Sequence, residues 1–205
     1  LYCSFSGVAD RCVRPAYDRR QRHMCIRARA RLYGLQHDSE LRDEMTYVSP
    51  TPGERVGLSF ITPRSMEDLE RRNRMMTRWA RLSCGMMGRS PDFMNVNIMA
   101  MAAAGDYFAQ NRPEFKNNIQ NYYEYIREND LVLTHTLLNL QRSRTPGSTP
   151  LEDRTDVALS VVKETDAGIV VNGARVLATL APLSEEIALY PTASHMLPGE
   201  APERY

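Results

Sequence analysis

At 205 residues the chain is long enough for one or two domains with a core that folds unaided. A quarter of it is charged, yet the net charge is only +1, so no global field points to nucleic acid or a membrane surface. No apolar run approaches the roughly 20 residues of a spanning helix, and residues 1–31 lack the apolar stretch of a secretory signal.

The four cysteines, Cys3, Cys12, Cys25 and Cys84, are scattered without a C-x-x-C pair. That pattern points to a reduced, cytoplasmic protein with incidental thiols. Residues 1–31 carry eight arginines against Asp10 and Asp18, a basic arm. Such an arm can bind phosphates or form a solvated, partner-facing helix. The lack of aromatic interleaving favours the second. Within Tyr17–Leu35, Ile26, Ala30 and Tyr33 stand at helical spacing. Leu35–Tyr47 reads as a turn and short helix with Ser39 as N-cap, and Ser49–Gly53 (SPTPG) as a turn.

Ser65 opens a long helix. Ser65–Asp68 (SMED) is a capping box with Asp in the place of Glu. The helix is expected to run to about Gly85, with Met66, Leu69, Met76, Trp79, Ala80 and Leu82 as its apolar face. Ser90 and Pro91 then start a helix, with Pro at its first position and Asp92 in its first turn, that continues through Met94–Gln110. Arg89 stands just before that helix start. It suits either an anion or phenolate site or a capping ion pair. Another helix is expected over Arg112–Asn129, its Tyr122, Tyr123 and Tyr125 serving core or interface.

Asn129–Arg144 is the seam between helical and strand-like sequence. It holds His135 between Thr134 and Thr136 in an otherwise apolar run. These polar groups need partners, structural or ligand, or each orphan costs about 1–3 kcal/mol. Leu140–Thr155 reads as a loop. Strands follow over Asp156–Glu164, Gly168–Leu180 and Glu186–Pro191, antiparallel and confined to the chain after Leu131. Thr165–Gly168 is a turn between the first two, and Asn172-Gly173 is a hairpin signal inside the second.

Three blocks in order, MMGRSPDFMN (Met86–Asn95), YYEYIRENDLVLTHTLLNLQ (Tyr122–Gln141) and VVKETDAGIVVNGARVLATLAP (Val161–Pro182), resemble the 4-hydroxyphenylacetate 3-hydroxylase oxygenase family. The similarity covers roughly Arg31 to Thr192. It implies an α+β, acyl-CoA dehydrogenase-like fold. Residues 1–130 would form the N-terminal helical domain and 131–205 the start of an antiparallel β-barrel domain. The C-terminal helical bundle would be absent, which makes the chain an N-terminal fragment of a protein that forms a tetramer.

The resemblance also implies the chemistry. A separate NAD(P)H:flavin reductase supplies FADH2, and the oxygenase uses O2 to hydroxylate a phenol ortho to its hydroxyl. Arg89 and His135 fall on substrate-contact, catalytic positions. Phe93 falls where many members have Tyr, which removes one possible hydrogen bond to the substrate. Thr192 and Ala193 fall near the substrate loop. Gln141, Arg142, Ser143 and Arg144 match a flavin-contact loop, and Thr179 a flavin-contact threonine.

Two other readings stand beside this one. A 4-hydroxybutyryl-CoA dehydratase shares the fold but needs closely spaced cysteine ligands for an iron–sulfur cluster, and Cys84 stands alone in its region. A truncated relative that acts only as a folding or assembly unit is the non-enzymatic reading. No Cys/His pair has zinc spacing, and no G-x-G-x-x-G marks a Rossmann site.

Overall fold

The computed structural model describes residues 2–4, 27, 30–86, 89–110, 112–139, 159–166, 168–176 and 178–190. Most of the basic arm, the 140–155 loop and the start of the strand expected from Asp156 lie outside the described residues. The chain divides into two compact units. One holds the described residues up to Leu133, apart from 2–4, together with Pro182–Glu185. The other holds the described residues within 1–4, 134–181 and 186–205.

The first unit is mainly helical. After strand β1 (Tyr2–Ser4), which belongs to the second unit, residues 30–34 are helical. A 3-10 turn (Leu35–His37) and a one-turn helix, α1 (Arg42–Met45), follow. Ser39 does not cap it. The Asp38 side chain takes the Glu40 N–H at 2.9 Å, which holds residues 38–41 in a turn and delays the helix to Arg42. Strands β2 (Thr46–Val48) and β3 (Arg55–Gly57) then pair antiparallel across the SPTPG turn. This hairpin corrects the expectation that strands occur only after Leu131. Three residues per strand are too few for alternation to stand out in the sequence.

Helix α2 (Met66–Leu82) begins as expected, with Ser65 Oγ accepting from the Asp68 N–H at 3.2 Å. It ends in a left-handed pair, Cys84 (φ 51°) and Gly85 (φ 71°). The buried face differs from the expected one. Met75 is fully buried and Trp79 nearly so, while Met66, Leu69, Met76 and Leu82 are exposed. Two of the helix's arginines take up partners on other elements: Arg72, nearly buried, pairs with Asp92, and Arg78, part exposed, pairs with Glu44. Met75 and Trp79 pack with Leu32, Met45, Leu58 and Ile61, and the Trp79 indole donates to the Leu32 carbonyl at 3.1 Å.

The cap gives a direct test. Ser65→Ala should cost about 1 kcal/mol in urea unfolding. The Asp68 carboxyl is held below the usual carboxylate range, first by the hydrogen bond from the Arg64 N–H and further by Ser65. A lowered folded value means its contribution is present above about pH 4 and lost as pH falls through that lower value. Asp68→Asn should therefore flatten the acid limb of stability against pH. An unchanged limb would refute the role.

Helix α3 (Phe93–Ala103) starts two residues later than expected, with Pro91 buried in the preceding turn. The expected single helix to Gln110 is broken after Ala103, and α4 (Gly105–Ala109) continues it. At the break α5 (Glu114–Glu128) comes close: a Cβ on Gly105 would sit 3.2 Å from Lys116 Cγ. On α5, Tyr123 is buried and its hydroxyl donates to the Phe60 carbonyl, whereas Tyr125 is half exposed.

The second unit is built from strands. Strand β4 (Leu133–Thr136) opens at the boundary between units, and β5 (Leu138–Asn139) follows. After them come β6 (Ser160–Thr165), β7 (Gly168–Asn172), β8 (Arg175–Val176) and β9 (Glu186–Leu189). One sheet has the order β1-β9-β4, with Tyr2 opposite Ala188. β6 and β7 form an antiparallel ribbon with a register shift between Val161 and Lys163. Asn172-Gly173 is not a hairpin: beyond it the chain leaves β7, and β8 pairs with β5 instead. The architecture is α+β with antiparallel strands, and no closed barrel forms among the described residues.

Candidate functional site

Helix α3 is apolar nearly all round, the mark of a helix with two surfaces to cover. Met94, Ile98, Met99 and Ala102 fill the core of the helical unit. On the other side Phe93, Val96, Asn97, Ala100 and Met101, at helical spacing, line an open groove of about 530 Å³ together with Tyr107 and Phe108 of α4. Arg89 stands at the Phe93 end, its guanidinium 5.2 Å from the Phe93 ring centroid. A cation over an aromatic face is attracted by the ring quadrupole, so these two side chains hold each other in place.

The first turn of α3 is fixed from below. Asp92 is the N-cap residue, but its side chain bonds no helix N–H. It accepts from Arg72 Nη2 of α2 at 3.3 Å instead. One turn on, buried Asn95 donates to Ser59 Oγ at 2.8 Å.

A second cavity in the same unit, about 630 Å³, is lined by Tyr47, Thr62, Gln120, Tyr123 and Arg127 among others. Burial, with the nearby Tyr123, holds the Tyr47 phenol well above its usual range, so it stays neutral. Burial alone would push the Arg127 guanidinium down. Its bonds to Glu128 and Tyr123 outweigh that and leave it raised.

In the strand unit His135 alternates with Thr134 and Thr136, so the imidazole faces the opposite side of β4 from the two hydroxyls. His135 is half-buried and meets the edge of the Tyr190 ring, centroids 6.1 Å apart at 73°. The Thr134 and Thr136 side chains are buried and their hydroxyls have no hydrogen-bond partner among the described residues. Thr179 is half-buried on a turn pinned by fully buried Leu180 and by the Ala181 N–H to Ala178 carbonyl bond at 3.2 Å. Nearby in sequence, Arg175 Nη1 donates to the Leu137 carbonyl at 2.9 Å, and burial lowers the Arg175 guanidinium pKa.

Of the site residues expected from sequence, the fold brings Arg89 and Phe93 into contact, and it places His135 and Thr179 in the strand unit. Gln141, Arg142, Ser143, Arg144, Thr192 and Ala193 lie outside the described residues. Sequence reasoning missed the groove along α3, the Arg72–Asp92 pair and Tyr190 beside His135. The groove had a signal, the run of apolar residues on both faces between Phe93 and Ala104. The other two are long-range contacts and had none. Among the described residues no group of three His, Cys, Asp or Glu is placed to hold a metal ion, and no helix is long and apolar enough to cross a membrane.

Helices followed by antiparallel strands in this order are those of an acyl-CoA dehydrogenase-like fold. A 4-hydroxybutyryl-CoA dehydratase from N. maritimus shares that fold at 17% identity, with a TM-score of 0.61 over 80% of this chain and 32% of its own. Within that class the chain belongs to the 4-hydroxyphenylacetate 3-hydroxylase family, whose N-terminal family model matches residues 9–205.

The 4-hydroxyphenylacetate 3-monooxygenase oxygenase component of Geobacillus sp. (strain PA-9) is 40% identical over 203 residues, 98% of this chain and 40% of the relative. That of Thermus thermophilus is 45% identical over 169 residues, 82% of this chain and 33% of the relative. A solved oxygenase component of this enzyme, complexed with FAD and 4-hydroxyphenylacetate, is 45% identical, with a TM-score of 0.66 over 81% of this chain and 33% of its own. The chain thus spans two-fifths or less of the length of these relatives.

Proposed function

We propose that this chain belongs to the oxygenase component of a cytoplasmic two-component monooxygenase that uses FADH2 and O2 to hydroxylate a phenol ortho to its hydroxyl. A separate NAD(P)H:flavin reductase is its partner, and the complete oxygenase is a homo-tetramer. The observation that carries the reading is the Arg89–Phe93 pair at the head of an apolar groove. A planar ring suits the groove, and an anionic substituent on it suits the guanidinium.

Thr179, the described member of the expected flavin set, fits a bound flavin because its turn is fixed and its side chain is half exposed. Thr179, with Gln141, Arg142, Ser143 and Arg144, would hold the group. Reduced FAD, when bound, supplies the activation of O2. The chain's own residues do the rest. Arg89 takes the negative charge of a substrate such as 4-hydroxyphenylacetate. Phe93 packs on the ring and lends it no hydrogen bond. His135 takes the phenol proton and so raises ring nucleophilicity. Thr192 and Ala193 contribute to binding the substrate, and the apolar groove wall offers its ring a surface without competing hydrogen bonds.

The test uses ¹⁸O₂. The protein expressed from its complete reading frame is mixed with a flavin reductase, FAD, NADH and 4-hydroxyphenylacetate. One ¹⁸O atom is expected in the catechol product, and only when both flavin and reductase are present. Label arriving from water, or no ring hydroxylation of any phenol with reduced FAD, would overturn the reading.

A further inference from the structure

We infer that Arg72 and Asp92 are positioning residues for the anion-binding Arg89 guanidinium over Phe93. The inference rests on the function proposed above. Four observations within the helical unit lead to it.

The first is where Asp92 stands. It immediately precedes Phe93 and follows Arg89 by three residues, so it is the pivot of the turn that carries both. Its carbonyl accepts the first helical bond, from the Val96 N–H at 2.9 Å, and the Phe93 N–H reaches the Ser90 carbonyl at 3.4 Å. The second is what its side chain does. A carboxylate at an N-cap ordinarily accepts from the helix N–H groups. Here it turns away from them to Arg72.

The third observation is burial. The Arg72 and Asp92 side chains are 13% and 3% exposed, and Arg72 is on α2, which Met75 and Trp79 lock into the core. The start of α3 is therefore tied to a helix anchored in the core. The fourth is that the pair is not built for stability. Arg72 Nε and Asp92 Oδ1 are both buried and without partners among the described residues. They are the two atoms that a side-on, two-bond ion pair would join. A buried pair is weak evidence for stability, and apolar replacements of similar volume are often neutral or better. Its geometric consequence is direct: it sets the direction in which the Arg89–Phe93 turn leaves the core.

A double replacement, Arg72→Met with Asp92→Leu, separates positioning from support. In the protein expressed from its complete reading frame we expect Tm and FAD affinity to stay at wild-type values. Affinity for 4-hydroxyphenylacetate should fall by about 10–100-fold, the scale of loss when a binding group is misplaced by about an ångström. Affinity for uncharged 4-ethylphenol should change by less than about threefold, because it makes no demand on Arg89. Arg72→Lys keeps the charge without the planar fork and should give the same pattern, more weakly. It decides the matter should the double variant not fold.

Equal losses for both phenols, or none for either, would overturn the inference. Arg89→Met distinguishes the two levels. If it leaves binding of 4-hydroxyphenylacetate unchanged, the proposed site itself fails. If it weakens binding while the Arg72 and Asp92 variants do not, the site stands and the positioning role alone falls.

Discussion

His135→Asn is expected to leave the protein folded and able to bind flavin while product yield collapses. On the proposed function the imidazole exchanges a proton with the phenol oxygen, a task its reference pKa of about 6.5 suits near neutral pH. A group in that role contributes about 10²–10⁴-fold to the step it assists. Asparagine keeps a polar side chain of similar reach but cannot take the proton. Reduced flavin should still be consumed, with hydrogen peroxide in place of catechol. The measurement is catechol formed per FADH2 consumed, in wild type and variant. An unchanged ratio removes His135 from the chemistry. A variant that does not fold returns the residue to a structural role, packed edge-on against Tyr190.

The largest stability effect is expected at Arg127. Its residue is 4% exposed, yet it carries a full charge inside the helical unit. Nε donates to Glu128 Oε1 at 2.5 Å, Nη2 to Thr51 Oγ1 at 2.7 Å, and the guanidinium lies 5.0 Å from the Tyr123 ring centroid. Ser49 also donates to Glu128, at 2.6 Å, so the cluster clamps the turn between β2 and β3 onto α5. Arg127→Ala leaves the part-buried Glu128 carboxylate without its cation, held by Ser49 alone, and should cost roughly 3–5 kcal/mol. That is a large share of the 5–15 kcal/mol or so that holds a typical domain together. Urea unfolding reads the loss directly. Arg127→Lys should recover part of it by restoring the charge without the fork or the stacking. A loss under about 1 kcal/mol for Arg127→Ala would mean that water already screens the cluster.

Local signals in the sequence carried through to structure where one residue contacts its near neighbours. Ser65 caps α2 by way of Asp68, and the SPTPG stretch makes a turn, because those bonds close within a few residues. Signals failed where a distant partner decides. The face of α2 that Met75 and Trp79 bury differs from the one periodicity picks, and the Arg72–Asp92 and Arg78–Glu44 pairs join residues 20 or more positions apart. Asn172-Gly173 looks like a hairpin turn because its local chemistry is right for one. β5 then recruits the following strand, and tertiary pairing overrides the local preference. For the site, Arg89 stood out by its place before a helix start and Phe93 through the family resemblance, while their mutual contact was not read from the sequence. The partners that hold them, and Tyr190 beside His135, come from other elements.

The register shift in the β6–β7 ribbon has a consequence for how the protein behaves in a crowded solution. Among the described residues each of these strands has one neighbour, so the outer rims offer unpaired backbone groups to any passing strand. Val162 and Val170, 63% and 48% exposed, make those rims attractive to another chain. The kink at Val162 spoils the straight ladder that a recruited strand would need, and the charges of Lys163 and Glu164 follow at once. An irregularity that looks like a fault in the pairing thus makes these two strands a poorer template for a further strand.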